Sequence, residues 1–528
     1  MKKLIYFICL ITLCLLSGCD ITPTPNPTPT PIPGEDEVSD ENIEIIFDTS
    51  GGTNIAIQII TKGSKAFKPL DPDKEDYRFL GWSQGDNSYF DFDTVLYENT
   101  IIYAVWESMY KDYSEFLDLY LPDVISTNVE LETRVGDLRL MWKSSNPNVL
   151  DNYGNLSRPR HDEIINVTLT VYDEGYLTTY NKDVKVLGVE YKDLVDGNIA
   201  IGYYSSWNFF GYTDEMYDTL DIVNLCFAYV TPDCGLNISG LQSYIPKILQ
   251  AHNAGIRVLL SVQGYSSEGA NFSLAASTAS GRKKLANAML EFVETYNFDG
   301  IDIDWEYPGF NTGRSTAVDR ENYTLLMKEI YTTLKNKDDT YLLTAAIPGG
   351  PYLPSRFDLE NTSKYLDYIN IMTYDLNASG KCVHHTALYS GTGTASNCSI
   401  DYSVNYYLDA KVPKSKIIIG IAFYGKSTKG NTLAGSGSSY SSITYTKIYQ
   451  NYILPGSSNV KFYYDEECQA PYIVDTINNI FITYDNERSI KAKVDYVKDK
   501  KLGGVMIWEI GEDMTLNLLK SLYNVYKK

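Results

Sequence analysis

From about residue 198 the chain repeats one pattern eight times, a short apolar run followed by an amphipathic stretch. The apolar runs fall at 200–204, 222–229, 258–263, 300–306, 341–347, 368–374, 417–423 and 504–508. Between them Leu285, Met289, Phe292 and Tyr296 recur at helical spacing, as do Val494 and Val497 before the last run. Strands alternating with helices build a parallel sheet. Eight such units in roughly 330 residues predict a (β/α)8 barrel, a TIM barrel, with one insertion at 425 to about 488. Polar residues at the carboxyl ends of its strands are the candidates for a site.

The rest of the 528 residues needs further units. Lys2 and Lys3 precede an apolar run from Leu4 to Leu16, which ends in Leu16-Ser17-Gly18-Cys19. A charged start, a short apolar stretch and small residues before the cut make residues 1–19 an export signal. As a helix that run rises about 20 Å, short of the roughly 30 Å needed to span a bilayer. Its last four residues resemble the bacterial lipobox, which implies cleavage before Cys19 and lipid attachment to its sulfur. Residues 20–42 continue with proline at alternate positions and then an acidic run, an extended spacer. Export, with a lipid anchor facing outward at the cell surface, is the expected location, and the membrane is met only through that anchor.

Two small mainly-β modules are expected between spacer and barrel. Residues 43–107 carry Phe47-Asp48, Gly51-Gly52, Phe79-Leu80-Gly81-Trp82, Phe90-Asp91-Phe92 and Tyr103-Ala104-Val105-Trp106. This layout resembles the internalin-type B repeat of bacterial surface proteins, which implies a β-grasp-like spacer or a contact with a surface protein or the cell wall. Residues 108–190 contain Trp142-Lys143-Ser144-Ser145-Asn146 and Gly154-Asn155-Leu156-Ser157. They look like a bacterial immunoglobulin-like domain.

Composition narrows the partner. With 67 acidic against 45 basic side chains the formal charge is −22, so nucleic acid would be repelled and a neutral substrate fits. Of eight cysteines, five lie beyond the signal and Cys19 (Cys226, Cys234, Cys382, Cys398 and Cys468), and pairing among them is left to geometry. The four histidines lack the spacing of a metalloenzyme motif, so neither a catalytic metal nor a cofactor is expected.

Chemistry concentrates on the fourth apolar run, Asp299-Gly300-Ile301-Asp302-Ile303-Asp304-Trp305-Glu306-Tyr307. Alternate residues of a strand share a face, so Asp302, Asp304 and Glu306 point one way, roughly 7 Å apart at each step, and Ile301, Ile303 and Trp305 the other. A solvated acidic edge would not place Ile and Trp strictly between the acids, and a Ca²⁺ site would want carbonyl and amide ligands in a loop. Burial and mutual repulsion should raise at least one pKa, as a general acid requires. Glu306, nearest the rim, is the natural proton donor. Asp299 is off the alternation and reads as holding a turn.

That acid row is similar to the D-x-x-D-x-D-x-E signature of glycoside hydrolase family 18, the chitinase family. Further strings match in order: Gly202-Tyr203-Tyr204-Ser205-Ser206-Trp207, Met372-Thr373-Tyr374-Asp375, Phe423-Tyr424-Gly425-Lys426 and Met506-Ile507-Trp508-Glu509. The resemblance covers about 198–528. It implies hydrolysis of chitin or chito-oligosaccharides with retention, the substrate's own acetamido group acting as nucleophile. Glu306 would then be the acid, Asp304 would bond the acetamido N–H, Asp302 would share a proton with Asp304, and Tyr374 would orient the acetamido carbonyl. Tyr203, Trp207, Met372, Asp375, Tyr424 and Trp508 would contact sugar. The family's endo-β-N-acetylglucosaminidases, acting on N-glycans or peptidoglycan, and non-catalytic carbohydrate-binding adhesins are alternatives. Departures stand beside the likeness: Ser261-Val262-Gln263-Gly264-Tyr265 replaces the usual S-x-G-G-W, and Lys426 stands where an arginine is usual.

Overall fold

The computed structural model describes residues 41–528 apart from 86–87, 110, 209–210, 212, 266, 311 and 378–379. The export signal, Cys19 and the spacer up to residue 40 lie outside the described residues. The chain divides into two compact units at Asp112 and Tyr113.

In the first unit, Asn42–Asp48, Gln58–Thr61, Tyr77–Ser83 and Thr100–Ser108 form one sheet, with the first and last of these strands parallel at its centre. Strict alternation in Asn42–Asp48 buries Ile43, Ile45 and Phe47, which pack with Trp82 and Ile102. Phe47 meets the edge of Trp82 at 5.0 Å between ring centroids.

The second unit opens with a five-stranded sheet dominated by a long hairpin, Glu163–Asp173 and Tyr176–Val186. Its inward residues, among them Trp142, Val167 and Leu169, form their own core. The sequence divides 108–190 from the barrel as separate modules. This sheet and the barrel fall within one compact unit, and Arg160 reaches from the sheet to pair with Asp299.

The barrel itself follows the predicted count. Its strands are β1 (Ile199–Ser205), β2 (Ile222–Val230), β3 (Arg257–Tyr265), β4 (Gly300–Glu306), β5 (Leu342–Pro348), β6 (Tyr368–Met372), β7 (Ile417–Ala422) and β8 (Gly504–Trp508). Neighbours pair in parallel around the ring, and β1 closes it by pairing with both β2 and β8. Two apolar layers result. Ile201, Tyr203, Leu259 and Met506 fill the interior. Ile301, Ile303 and Trp305 face outward onto the helices, where Phe272 stacks on Trp305 at 5.4 Å. The helix Ala279–Tyr296 buries Leu285, Met289 and Val293, whereas Phe292 and Tyr296 stack on each other at its half-exposed edge. Between β7 and β8 the insertion forms a five-stranded antiparallel sheet running from Tyr424–Lys429 to Ile480–Thr483.

Candidate active site

Asp302 is fully buried in the barrel interior, and four strands supply its donors. Tyr203 and Ser261 hydroxyls donate to Oδ2 at 2.9 and 2.8 Å; Thr344 Oγ1 and Asn370 Nδ2 donate to Oδ1 at 2.6 and 3.2 Å. Burial raises its carboxyl above the ordinary aspartate value, and the four hydrogen bonds oppose that rise. These four donors come from the walls of the barrel and hold Asp302 below Asp304.

Asp304 sits one step higher. It is buried, its Oδ1 has no hydrogen-bond partner, and Oδ2 meets only Gln263 Nε2 at 3.5 Å. Burial, with the charges of Glu306 and Asp302, pushes its carboxyl well up. Glu306 at the strand end is half-buried; burial raises it too, the Tyr307 hydroxyl offsets part of that, and Asp375 adds to it. The row therefore runs from a fully bonded base to a half-buried tip.

A cavity of about 400 Å³ opens above the row. Asp304, Glu306, Tyr374 and Met372 line it, with Tyr203 and Trp508 on its floor and Asp375 and Tyr424 on its wall. The cavity extends over the loop 349–353 after β5 and over Leu376 and Asn377 after β6. Tyr374 stands two residues beyond β6, which ends at Met372 rather than carrying the phenol itself. A Cβ on Gly420 would come 2.8 Å from the Tyr374 ring, so the glycine makes room for it. Among the described residues the Tyr374 hydroxyl meets only Met506 Sδ at 3.8 Å, a weak acceptor that leaves its proton available to a stronger one.

Asp375 is held by three partners that sequence reasoning did not assign to it. Lys426 Nζ lies 2.7 Å and His385 Nδ1 3.7 Å from its Oδ1, and the Tyr424 hydroxyl donates to the same oxygen at 2.6 Å. Burial would raise this carboxyl, but His385 and Lys426 outweigh it and hold the group below the ordinary aspartate range. Lys426, noted as a departure from arginine, thus still supplies a cation to the site.

Two further expected sugar contacts lie at the bottom of the cavity and outside it. Tyr203 is 1% exposed, and its hydroxyl is committed to Asp302, so it braces the acid row from below. Trp207 does not line the cavity; it is 57% exposed and lies 6.0 Å from Phe227, which in turn stacks on Trp508 at 5.8 Å. Phe227 escaped notice because its neighbours in β2 are apolar apart from Asn224. Asp299 does more than hold a turn: Arg160, Tyr191, His252 Nε2 at 2.8 Å and the Val258 N–H at 2.6 Å all bond it. The five cysteines among the described residues are free thiols.

This arrangement, a raised carboxyl pair above a bonded one, with a phenol and an aromatic floor, can protonate a leaving oxygen and stabilise a nearby positive charge. Comparison with known proteins gives the family. Residues 44–105 match the Listeria–Bacteroides repeat domain. Chitinase A1 of Niallia circulans is 31% identical over 314 residues, covering 54% of this chain and 44% of its own length, so this chain spans under half of that relative. Endochitinase 1 of Metarhizium robertsii is 32% identical over 295 residues, 53% of this chain and 67% of its own. A family 18 N-acetylglucosaminidase from Paenibacillus barengoltzii superposes with a TM-score of 0.56 at 35% identity, covering 62% of this chain and 99% of its own. Residues 199–513, more than half of the chain, match the profile of glycosyl hydrolases family 18, and the protein is therefore an enzyme of that family.

Proposed function

We propose that the barrel hydrolyses β-1,4 bonds between N-acetylglucosamine units with retention, the acetamido group of the reacting sugar serving as nucleophile. Glu306, its proton retained by a raised pKa, protonates the leaving oxygen as the acetamido carbonyl attacks the anomeric carbon. An oxazolinium ion forms. Asp304 accepts the acetamido N–H and supplies negative charge beside the ring, while Asp302, bonded four times, fixes the floor beneath it. Tyr374 donates to the acetamido oxygen, and Trp508 bears the apolar face of the sugar. Water activated by Glu306, now a base, then opens the ring. The Oδ1 of Asp304, buried and without a hydrogen-bond partner among the described residues, is the observation that carries this reading. A buried acceptor with no protein partner is costly, and a substrate N–H removes the cost.

Within that mechanism, release of single N-acetylglucosamine units is the second reading, supported by the 35% identity to the Paenibacillus enzyme over 99% of its length. The protein would be exported and tethered through a lipid on Cys19, with 43–107 contacting the cell wall or a surface protein. The test is a product profile on chito-oligosaccharides, fully acetylated and selectively deacetylated. Cleavage should require an acetylated sugar at the reacting position; cleavage without one sinks the mechanism. Disaccharide products mark the chitinase reading, and monosaccharide products the second.

A further inference from the structure

Outside the catalytic cavity, His384, Asp465 and Cys468 bring one nitrogen, one oxygen and one sulfur within 4.8 Å of one another. Sequence spacing hides the group, since the histidine follows β6 and the other two lie 81 and more residues on, at a hairpin turn of the insertion. His384 and Cys468 are fully buried, and the Asp465 side chain is 10% exposed.

We propose that this trio binds one divalent transition cation of the zinc class and thereby pins the insertion to the loop after β6. Imidazole, thiolate and carboxylate are the ligand types zinc takes, and three protein ligands leave its fourth position to water. His384 Nε2 and Asp465 Oδ2 are 3.1 Å apart, near the roughly 3.3 Å edge of a tetrahedron with bonds of about 2.0 Å. Cys468 closes the set by a shift of under about 1.5 Å, the thiol losing its proton to solvent as the metal–sulfur bond forms.

The surroundings are prepared for it. Asp465 spends Oδ1 on the Glu467 and Cys468 N–H groups at 3.1 and 3.2 Å, which leaves Oδ2 turned to the histidine. Thr483 Oγ1 lies 3.4 Å from His384 Nδ1; a proton held there leaves the Nε2 lone pair for a metal. Gly393 provides the space, since a Cβ on it would come 2.5 Å from Asp465 Oδ2 and 3.0 Å from His384 Nε2. The next residue, His385, faces Asp375, so the pinned loop is the one that shapes the cavity wall.

The untagged full chain is loaded with Zn²⁺ or Co²⁺ and dialysed under reducing conditions. Wild type should retain one metal per chain, and the cobalt form should show a thiolate-to-metal charge-transfer band in the near ultraviolet. Cys468→Ser should lose that band and His384→Asn should lose the metal, while zinc at about 100-fold excess over its Kd should raise the wild-type Tm by about 3–5 °C and leave both variants unmoved. Failure of wild type to hold stoichiometric metal, or a band surviving in Cys468→Ser, overturns the site. Should a variant not fold, the wild-type cobalt spectrum decides by itself, because a spectrum without the thiolate band overturns the site equally.

Discussion

Asp299 and Asp304 belong to one strand and its approach, both are buried, and their electrostatics are opposite. At the foot of β4, Asp299 accepts from Arg160, Tyr191, His252 and a backbone N–H; burial would raise its carboxyl, but His252 and Arg160 outweigh that and hold it below the ordinary 3.8. Five residues on, Asp304 has one long contact, an unpartnered oxygen and two acidic neighbours, and its carboxyl is pushed well above that value. The foot of the strand spends its buried charge on holding two modules together. Its upper end leaves the same kind of charge without a partner, which is stable only if a positive ligand or a proton arrives.

Substitutions that remove one end and spare the other break this contrast if it is wrong. Glu306→Gln should lower kcat on chito-oligosaccharides by about 10²–10⁴-fold, the usual share of a general acid, with an unchanged thermal melt. Persistent reducing-sugar release would refute its role. Asp299→Asn should do the reverse. It takes from buried Arg160 one of its two carboxylate partners, Asp338 remaining, at a cost of about 1.5–3 kcal/mol read from denaturant midpoints, while kcat of the folded fraction stays near wild type. Because the folded pKa of Asp299 is depressed, its contribution is fully present above pH 3.8 and fades only as pH falls through the still lower folded value. The stability gap between variant and wild type should therefore be flat from neutral pH down to about 4 and narrow below it. A gap that narrows near neutrality would mean that the stability difference does not come from the Asp299 carboxylate.

A subtler change concerns the rim. Asp375 adds negative charge beside Glu306 and helps keep it protonated. Asp375→Asn should move the alkaline limb of the kcat profile to lower pH, since the acid then loses its proton earlier. A limb that stays in place would show that Lys426 already cancels Asp375 at that distance.

Much of this was legible before any coordinates, for a physical reason. A strand has a period of two, so Asp302, Asp304 and Glu306 had to share a face once β4 was recognised, and the outward Ile301, Ile303 and Trp305 confirmed which face met the helices. The count of barrel strands was legible for the same kind of reason, each being a run of apolar residues too long to leave exposed. What stayed hidden depended on distant returns of the chain. Arg160 comes to Asp299 from 139 residues away, and His252 from 47. Lys426 reaches Asp375 from the first strand of the insertion and His385 from the loop after β6. Phe227 could not be told from its neighbours because β2, Asn224 apart, is apolar on both faces, and periodicity carries little information there.

The smallest expected effect falls on Gln263, the departure that places bulk where the family has glycine. Its amide approaches Asp304 at 3.5 Å, long for a hydrogen bond, and it is the one donor that lowers that carboxyl. Gln263→Leu keeps the volume and removes the donor. Loss of so weak a bond is worth about 0.5 kcal/mol, or roughly a twofold fall in kcat. The pH profile is the sharper readout. Asp304 must be ionised to face the oxazolinium ion, so activity is lost as pH falls through its folded pKa, and with the donor gone that pKa rises further. The acid limb should shift to higher pH while the alkaline limb set by Glu306 moves less. An acid limb that moves down, or both limbs moving together, would mean that the carboxyl titrating there is not the one Gln263 touches, and the contrast between Asp299 and Asp304 would lose its functional half.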